Sequence, residues 1–153
     1  MKIIKGNLIT LAQSGAFDVI SHGCNCFCQM GAGIAPQMAK AFGADQFPME
    51  SDSYKGSFNK LGNIDFQYNR KYNVAVVNAY TQYGFGRNHA NGTSVPLDYL
   101  ALEMCMKKIN FEFKGTKVGL PWIGCGLAGG DKERVREILA RTLTDVELTI
   151  VEL

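Results

Sequence analysis

The chain has 153 residues, 46% hydrophobic and 20% charged, with 16 basic against 14 acidic side chains. That length fits a single domain, residues 1–153, with enough chain to bury a real core. So even a charge balance gives no support for a general nucleic-acid or membrane-surface binder. No apolar run approaches the ~20 residues that cross a bilayer. The start, Met1-Lys2-Ile3-Ile4-Lys5, lacks the apolar segment of a secretory signal, so a cytoplasmic protein is expected. The five cysteines are an odd count, which favours reduced thiols over a disulfide framework. Cys24, Cys26 and Cys28 alternate along the chain and no second pair follows. That spacing is poor for a structural zinc site, so no metal is expected.

Apolar residues in 2–5 and 7–11 around Gly6-Asn7 suggest a first strand ending in a turn. Phe17 to His22 reads as a short buried strand, followed by a polar, cysteine-rich segment. Ile34, Met38 and Phe42 repeat at helical spacing, which predicts a helix over 34–42 stopped by Gly43. Residues 44–63 are polar and irregular, with room for a short helix. Ile64 to Tyr68 and Tyr72 to Ala79 form a predicted hairpin turning at Asn69-Arg70-Lys71. Val74 to Val77 suggest a strand buried on both faces. Residues 81–93 make a long loop rich in glycine and asparagine. A helix is expected from about 95, capped by Thr93 or Ser94, with Pro96 in its first turn. Its apolar side is Leu97, Leu100, Ala101, Met104 and Ile109. A strand ending Val118-Gly119-Leu120-Pro121, a helix carrying Val135, Ile138 and Leu139, and a strand through Val146, Leu148 and Ile150 complete the chain. Strands alternating with helices predict an α/β fold, with a mixed central sheet between helical layers. In such sheets ligands sit beyond the carboxyl ends of the strands.

Two glycine-rich loops occupy that kind of position. The first is Gly31-Ala32-Gly33-Ile34-Ala35, directly before a helix. Small residues there let a ligand approach the backbone, and the free N–H groups and dipole of a helix start favour an anion. The second is Gly124-Cys125-Gly126-Leu127-Ala128-Gly129-Gly130, again between a strand and a helix. Together they can cradle a diphosphate. Neither is a dinucleotide fingerprint or a P-loop: Pro36 stands where a third glycine would fall, and no Lys-Ser/Thr pair follows.

With these loops go Lys5-Gly6-Asn7-Leu8-Ile9, His22-Gly23-Cys24-Asn25-Cys26, Pro121-Trp122-Ile123-Gly124 and the ending Thr149-Ile150-Val151-Glu152-Leu153. In order and spacing the chain resembles a macro domain over nearly its whole length. It is most similar to small stand-alone members from phages, bacteria and eukaryotes. The resemblance implies a three-layer α/β/α fold, ADP-ribose or ADP-ribose 1''-phosphate as ligand, and no cofactor. ADP-ribosylated protein or nucleic acid are the wider partners it implies. Gly31 to Ala35 and Ile123 to Ala128 would hold the diphosphate and distal ribose, and Asn25 would contact that ribose. Asn7 stands where relatives have an aspartate that reads the adenine amino group. Its amide keeps an acceptor oxygen without the strength that charge adds. Leu8, Val151 and Leu153 would line the adenine slot, with no aromatic at Val151. Relatives that cleave glutamyl-linked ADP-ribose use a lysine, absent from Asn78 to Gln82, and an aspartate where Ala128 stands.

Two residues are candidates for chemistry. His22 ends a strand before the first loop and is suited either to donating a proton or steadying a phosphate near neutral pH, or to a structural hydrogen bond with nearby backbone. Asp131 follows the second loop and reads either as a helix N-cap or as a group orienting water near the distal ribose. Gln82 and Tyr83 are candidate ligand contacts, and His89 lies in a loop that could fold over the ribose. The leading expectation is hydrolysis of a 1''-phosphate or similar substituent by a phosphatase-like hydrolase. The alternatives are a non-catalytic reader of ADP-ribose and a hydrolase that removes ADP-ribose or acyl groups.

Overall fold

The computed structural model describes residues 1–86 and 94–153; the expectations for His89 and Thr93 fall outside them. The elements run β1 (Lys2–Lys5), α1 (Leu8–Gln13), β2 (Val19–Asn25), α2 (Ala35–Phe42), α3 (Pro48–Ser51), β3 (Ile64–Asn69), β4 (Val74–Gln82), α4 (Tyr99–Glu112), β5 (Lys117–Leu120), α5 (Lys132–Thr142) and β6 (Glu147–Glu152). Single turns of tight helix at Ala44–Gln46 and Phe58–Lys60 fill the irregular stretch.

The strands form one sheet in the order β1-β6-β5-β2-β4-β3. The first five in that order are parallel neighbours, and only β3 runs antiparallel, at the edge. Two cores lie on opposite faces. One packs Leu102, Met106 and Ile109 of α4 and Val135 and Leu139 of α5 against Val118 and Ile150. The other packs Leu8 and Ile9 of α1 and Met38 and Phe42 of α2 against Ile20 and Val76. The architecture is a three-layer α/β/α sandwich around a mixed sheet. Val74, Val76 and Val77 are fully buried, as a strand covered on both faces requires.

Local chemistry explains where elements start. Asn7 is extended, and its Oδ1 accepts from the backbone N–H of Ile9 (2.9 Å) and Thr10 (3.1 Å). It caps α1, so residues 8–13 are helical, an element the sequence pattern did not distinguish from a strand ending in a turn. Asn7→Ala should cost about 1 kcal/mol, while Asn7→Asp should leave stability unchanged; urea unfolding of the two variants checks this. Helix α4 begins later than expected. Its cap is Asp98, which accepts from the Ala101 N–H at 3.0 Å, not Ser94. Leu97 lies before the helix, bridged to Gln82 and fully buried. Leu100 (66% exposed) and Met104 (41% exposed) face outward, although their spacing suggested the core. Strand β2 begins two residues after Phe17 and runs on to Asn25. No helix among the described residues is long and apolar enough to cross a membrane.

Candidate functional site

All five parallel strands end on one side of the sheet. The loops selected from the sequence leave from those ends: Asn7 and Leu8 after β1, Leu153 after β6, Ile123 to Ala128 after β5, Gly31 to Ala35 after β2, and Gln82 at the end of β4. The chain after β2 leads to α2 on one face, and the chain after β5 leads to α5 on the other. Because β2 and β5 are neighbours, the chain departs to opposite faces there, the kind of switch point beyond which such sheets bind ligands. The two glycine loops therefore share one edge of the molecule.

The first loop is open. Gly31, Ala32 and Gly33 are exposed, and a Cβ added at Gly31 or Gly33 would meet nothing within 4 Å. Helix α2 has no side-chain cap and carries Pro36 in its first turn, so its leading N–H groups remain available to an anion. Ile34 and Ala35 are half-buried where the loop joins that helix. Asn25, 7% exposed, shapes the loop's entry. Its Oδ1 accepts from the N–H of Phe27 (3.1 Å) and Gln29 (3.3 Å), and its Nδ2 donates to the Gln29 carbonyl (3.0 Å).

The second loop is a tightly closed turn with an open outer face. The Gly130 N–H donates to the Gly124 carbonyl at 2.7 Å, and Leu97 N–H donates to the Ala128 carbonyl at 3.1 Å. Gly124 has φ +76°, and a Cβ there would lie 2.6 Å from Leu97. Only glycine combines that left-handed backbone with so close a neighbour. A Cβ at Gly126, by contrast, would meet nothing within 4 Å. Leu127 stands 83% exposed at the loop's tip, and Ile123 is buried beneath it. No charged side chain occurs in 31–35 or 124–130. An anion held here would be gripped by backbone amides and helix dipoles alone.

The two candidates for chemistry differ in their access to this edge. His22 is fully buried within β2. Its Nε2 lies 2.7 Å from Asn78 Oδ1, and Asn78 is oriented by its own Nδ2 donating to the Ala44 carbonyl at 2.9 Å. With that amide fixed, the imidazole donates through Nε2–H, and Nδ1 is left buried without a partner. Burial drives the His22 pKa down to about 4, against the smaller opposing effect of the Asn78 bond. The ring is thus neutral near pH 7 and has no exposed surface, an arrangement that suits the structural hydrogen bond of the two roles expected for it. Asp131 caps α5, with Oδ1 accepting from the Glu133 N–H at 3.2 Å; it remains exposed at the rim. Cys125 is half-buried, and burial pushes its thiol pKa up, which keeps it a weak nucleophile. Gln82 is held by its Nε2 donating to the Gly84 carbonyl at 2.8 Å. Leu8 is only 3% exposed and belongs to the core beneath the cleft, whereas Leu153 is 97% exposed. Trp122 packs against the core that holds α4 and α5, its indole N–H donating to Glu152 at 2.8 Å. Among the described residues no three His, Cys, Asp or Glu side chains gather as metal ligands.

No family model matches the chain. It is 33% identical over 162 residues to an uncharacterized 17.5 kDa protein of the tk-vs intergenic region of Enterobacteria phage T4, across 99% of this chain and 96% of that protein. A macrodomain protein from Streptomyces coelicolor matches with a TM-score of 0.73 and 21% identity, covering 99% of this chain and 98% of its own. Thermosipho africanus DarTG in complex with ADP-ribose matches with a TM-score of 0.74 and 15% identity, over 100% of this chain and 42% of its own. Sheet order, loops and neighbours define the class: this is the macro-domain fold. The chain belongs to the same family as the phage T4 protein.

Proposed function

We propose that the protein binds ADP-ribose across the carboxyl ends of its parallel strands, and that recognition rather than turnover is its principal activity. The observation that carries the reading is that two uncharged glycine loops, each with open space beside a glycine, leave from the carboxyl ends of adjacent strands β2 and β5. A pyrophosphate is the guest such a site suits, because backbone N–H groups from both sides can share its oxygens. The strands from β1 to β4 span roughly 19 Å at the usual spacing between neighbours, long enough for a two-ribose ligand to lie across them. In this pose the base end lies at Asn7, Leu8 and Leu153, the diphosphate between Gly31–Ala35 and Ile123–Ala128, and the distal ribose at Asn25 and Gln82. The Thermosipho protein, similar in fold, is seen with ADP-ribose.

Hydrolysis of a 1''-phosphate is the finer reading, and the side chains favour it less. His22 is sealed in the core, and the Asp131 oxygen facing the helix is committed to its cap. Calorimetric titration with ADP-ribose tests binding, and phosphate release from ADP-ribose 1''-phosphate tests turnover. Steady release that disappears in Asp131→Ala would reinstate the phosphatase. The loops make a separate prediction. At Gly31 and Gly126 an added Cβ meets nothing within 4 Å, so Gly31→Val and Gly126→Val should keep their melting temperatures while ADP-ribose affinity falls at least tenfold, about 1.4 kcal/mol. Unchanged affinity in both variants would place the ligand elsewhere.

A further inference from the structure

Just past the ends of β2 and β4, four aromatic rings gather that the cleft described above does not use. Phe58 stacks on Tyr83 with ring centroids 3.7 Å apart and planes 5° from parallel. Phe27 meets Tyr83 edge-on at 5.1 Å and Phe85 edge-on at 6.3 Å. The group is held in place from several sides. Tyr83 Oη donates to the Gly56 carbonyl at 2.6 Å, and the Cys26 N–H donates to the Tyr83 carbonyl at 2.9 Å. Gly56 backs so closely on Phe27 that a Cβ there would lie 2.7 Å from the ring. Tyr83, 9% exposed, is the inner member, while Phe58 and Phe85 are 57% and 52% exposed. With one face of Phe58 covered by Tyr83, that much exposure leaves its other face to solvent. Rigid aromatic faces presented to water are the features on which planar rings stack.

The shelf begins two residues beyond Asn25 and one beyond Gln82, within roughly 7 Å of chain at the strand rise. Resting on the reading of the cleft given above, it lies where a group on C1'' of the distal ribose would project. The chemistry there disfavours an anion. The π faces carry partial negative charge, and among the described residues of the adjoining segment Lys60 is buried and paired with Asp52 while Lys55 is turned to the Glu50 carbonyl. The geometry points to a planar, cationic ring on the distal ribose as the occupant of the Phe58 shelf, so that the cleft takes intact NAD+ with its pyridinium stacked there. The structure supports binding, and no bond-breaking step is assigned.

Titration of the full chain with ADP-ribose, NAD+ and NADH, in wild type and Phe58→Ala, tests the assignment. NAD+ should bind about fivefold tighter than ADP-ribose, the effect of one exposed cation–π contact, and NADH, whose ring is neutral, should show no such gain. Phe58→Ala should bind ADP-ribose as wild type does, which also certifies its fold, and lose the preference for NAD+. ADP-ribose binding without that preference, or a preference that survives in Phe58→Ala, overturns the shelf alone. A single-stranded oligonucleotide that displaces NAD+ in a Phe58-dependent way also overturns it, in favour of a nucleobase. Failure of every ligand to bind overturns the cleft and the shelf together.

Discussion

Acidification should unfold this protein more readily through His22 than through any surface group. The imidazole is buried neutral with a pKa near 4, against about 6.5 in an unfolded chain. Between those values the unfolded state binds the extra proton, so stability is full above pH 6.5 and is lost as pH falls towards 4. Across that window the loss amounts to about 3 kcal/mol at 1.36 kcal/mol per unit, a large share of a small domain's stability. Glu50 works in the opposite direction. Its carboxyl is held above the usual range, first by burial, while the bond from Tyr80 Oη (2.6 Å to Oε2) lowers it in part. In the range between its ordinary and its raised pKa the folded state holds more protons, so acid relieves strain at Glu50 and softens the decline. Urea midpoints from pH 7 to 4.5 should therefore fall in wild type, fall more steeply in Glu50→Gln, and hold or rise slightly in His22→Gln. Glutamine keeps an N–H for Asn78 and does not titrate. A His22→Gln variant with the wild-type slope would mean that His22 is not the group responsible.

Gly130→Ala should be among the most damaging single-methyl changes at the described glycines. The added carbon would sit 2.5 Å from Leu97 Cδ2 and 2.6 Å from the Gly124 carbonyl oxygen. The leucine cannot swing clear, because it is fully buried and its own N–H is bonded to Ala128. The carbonyl is the acceptor of the bond that closes the loop, at 2.7 Å from Gly130 N. Relief must come from opening the turn, which loses that bond and disturbs the packing of Leu97, about 2–4 kcal/mol together. Thermal unfolding should report the destabilisation. Titration of the variant, below its melting point, should report a loss of ADP-ribose affinity of at least tenfold, about 1.4 kcal/mol. The nearby Gly126→Ala is the control for stability alone, since its methyl enters open space. A normal melting point for Gly130→Ala would show that the loop yields more easily than its contacts imply.

Much of this molecule is written locally. Ile34, Met38 and Phe42 with Gly43 mark α2 because helical periodicity and a left-handed stop need only a few consecutive residues. Asp131 at the cap of α5 and the buried run from Val74 to Val77 are legible for the same reason. The two glycine loops also announce themselves, since small residues between a strand and a helix have few other uses. Long-range facts were beyond reach of any such pattern. Helix α1 depends on a cap at Asn7 and on a core face beneath it, and a six-residue element is too short for its periodicity to stand out. His22 looks the same in sequence whether it faces solvent or the core. Its burial is decided by Asn78, 56 residues away, and by Ala44 behind that. The Phe58 shelf joins residues from three separate segments. Local composition sets which backbone each segment prefers. The order in which strands pair sets which side chains meet, because contacts between distant segments exist only once the sheet has brought its edges together.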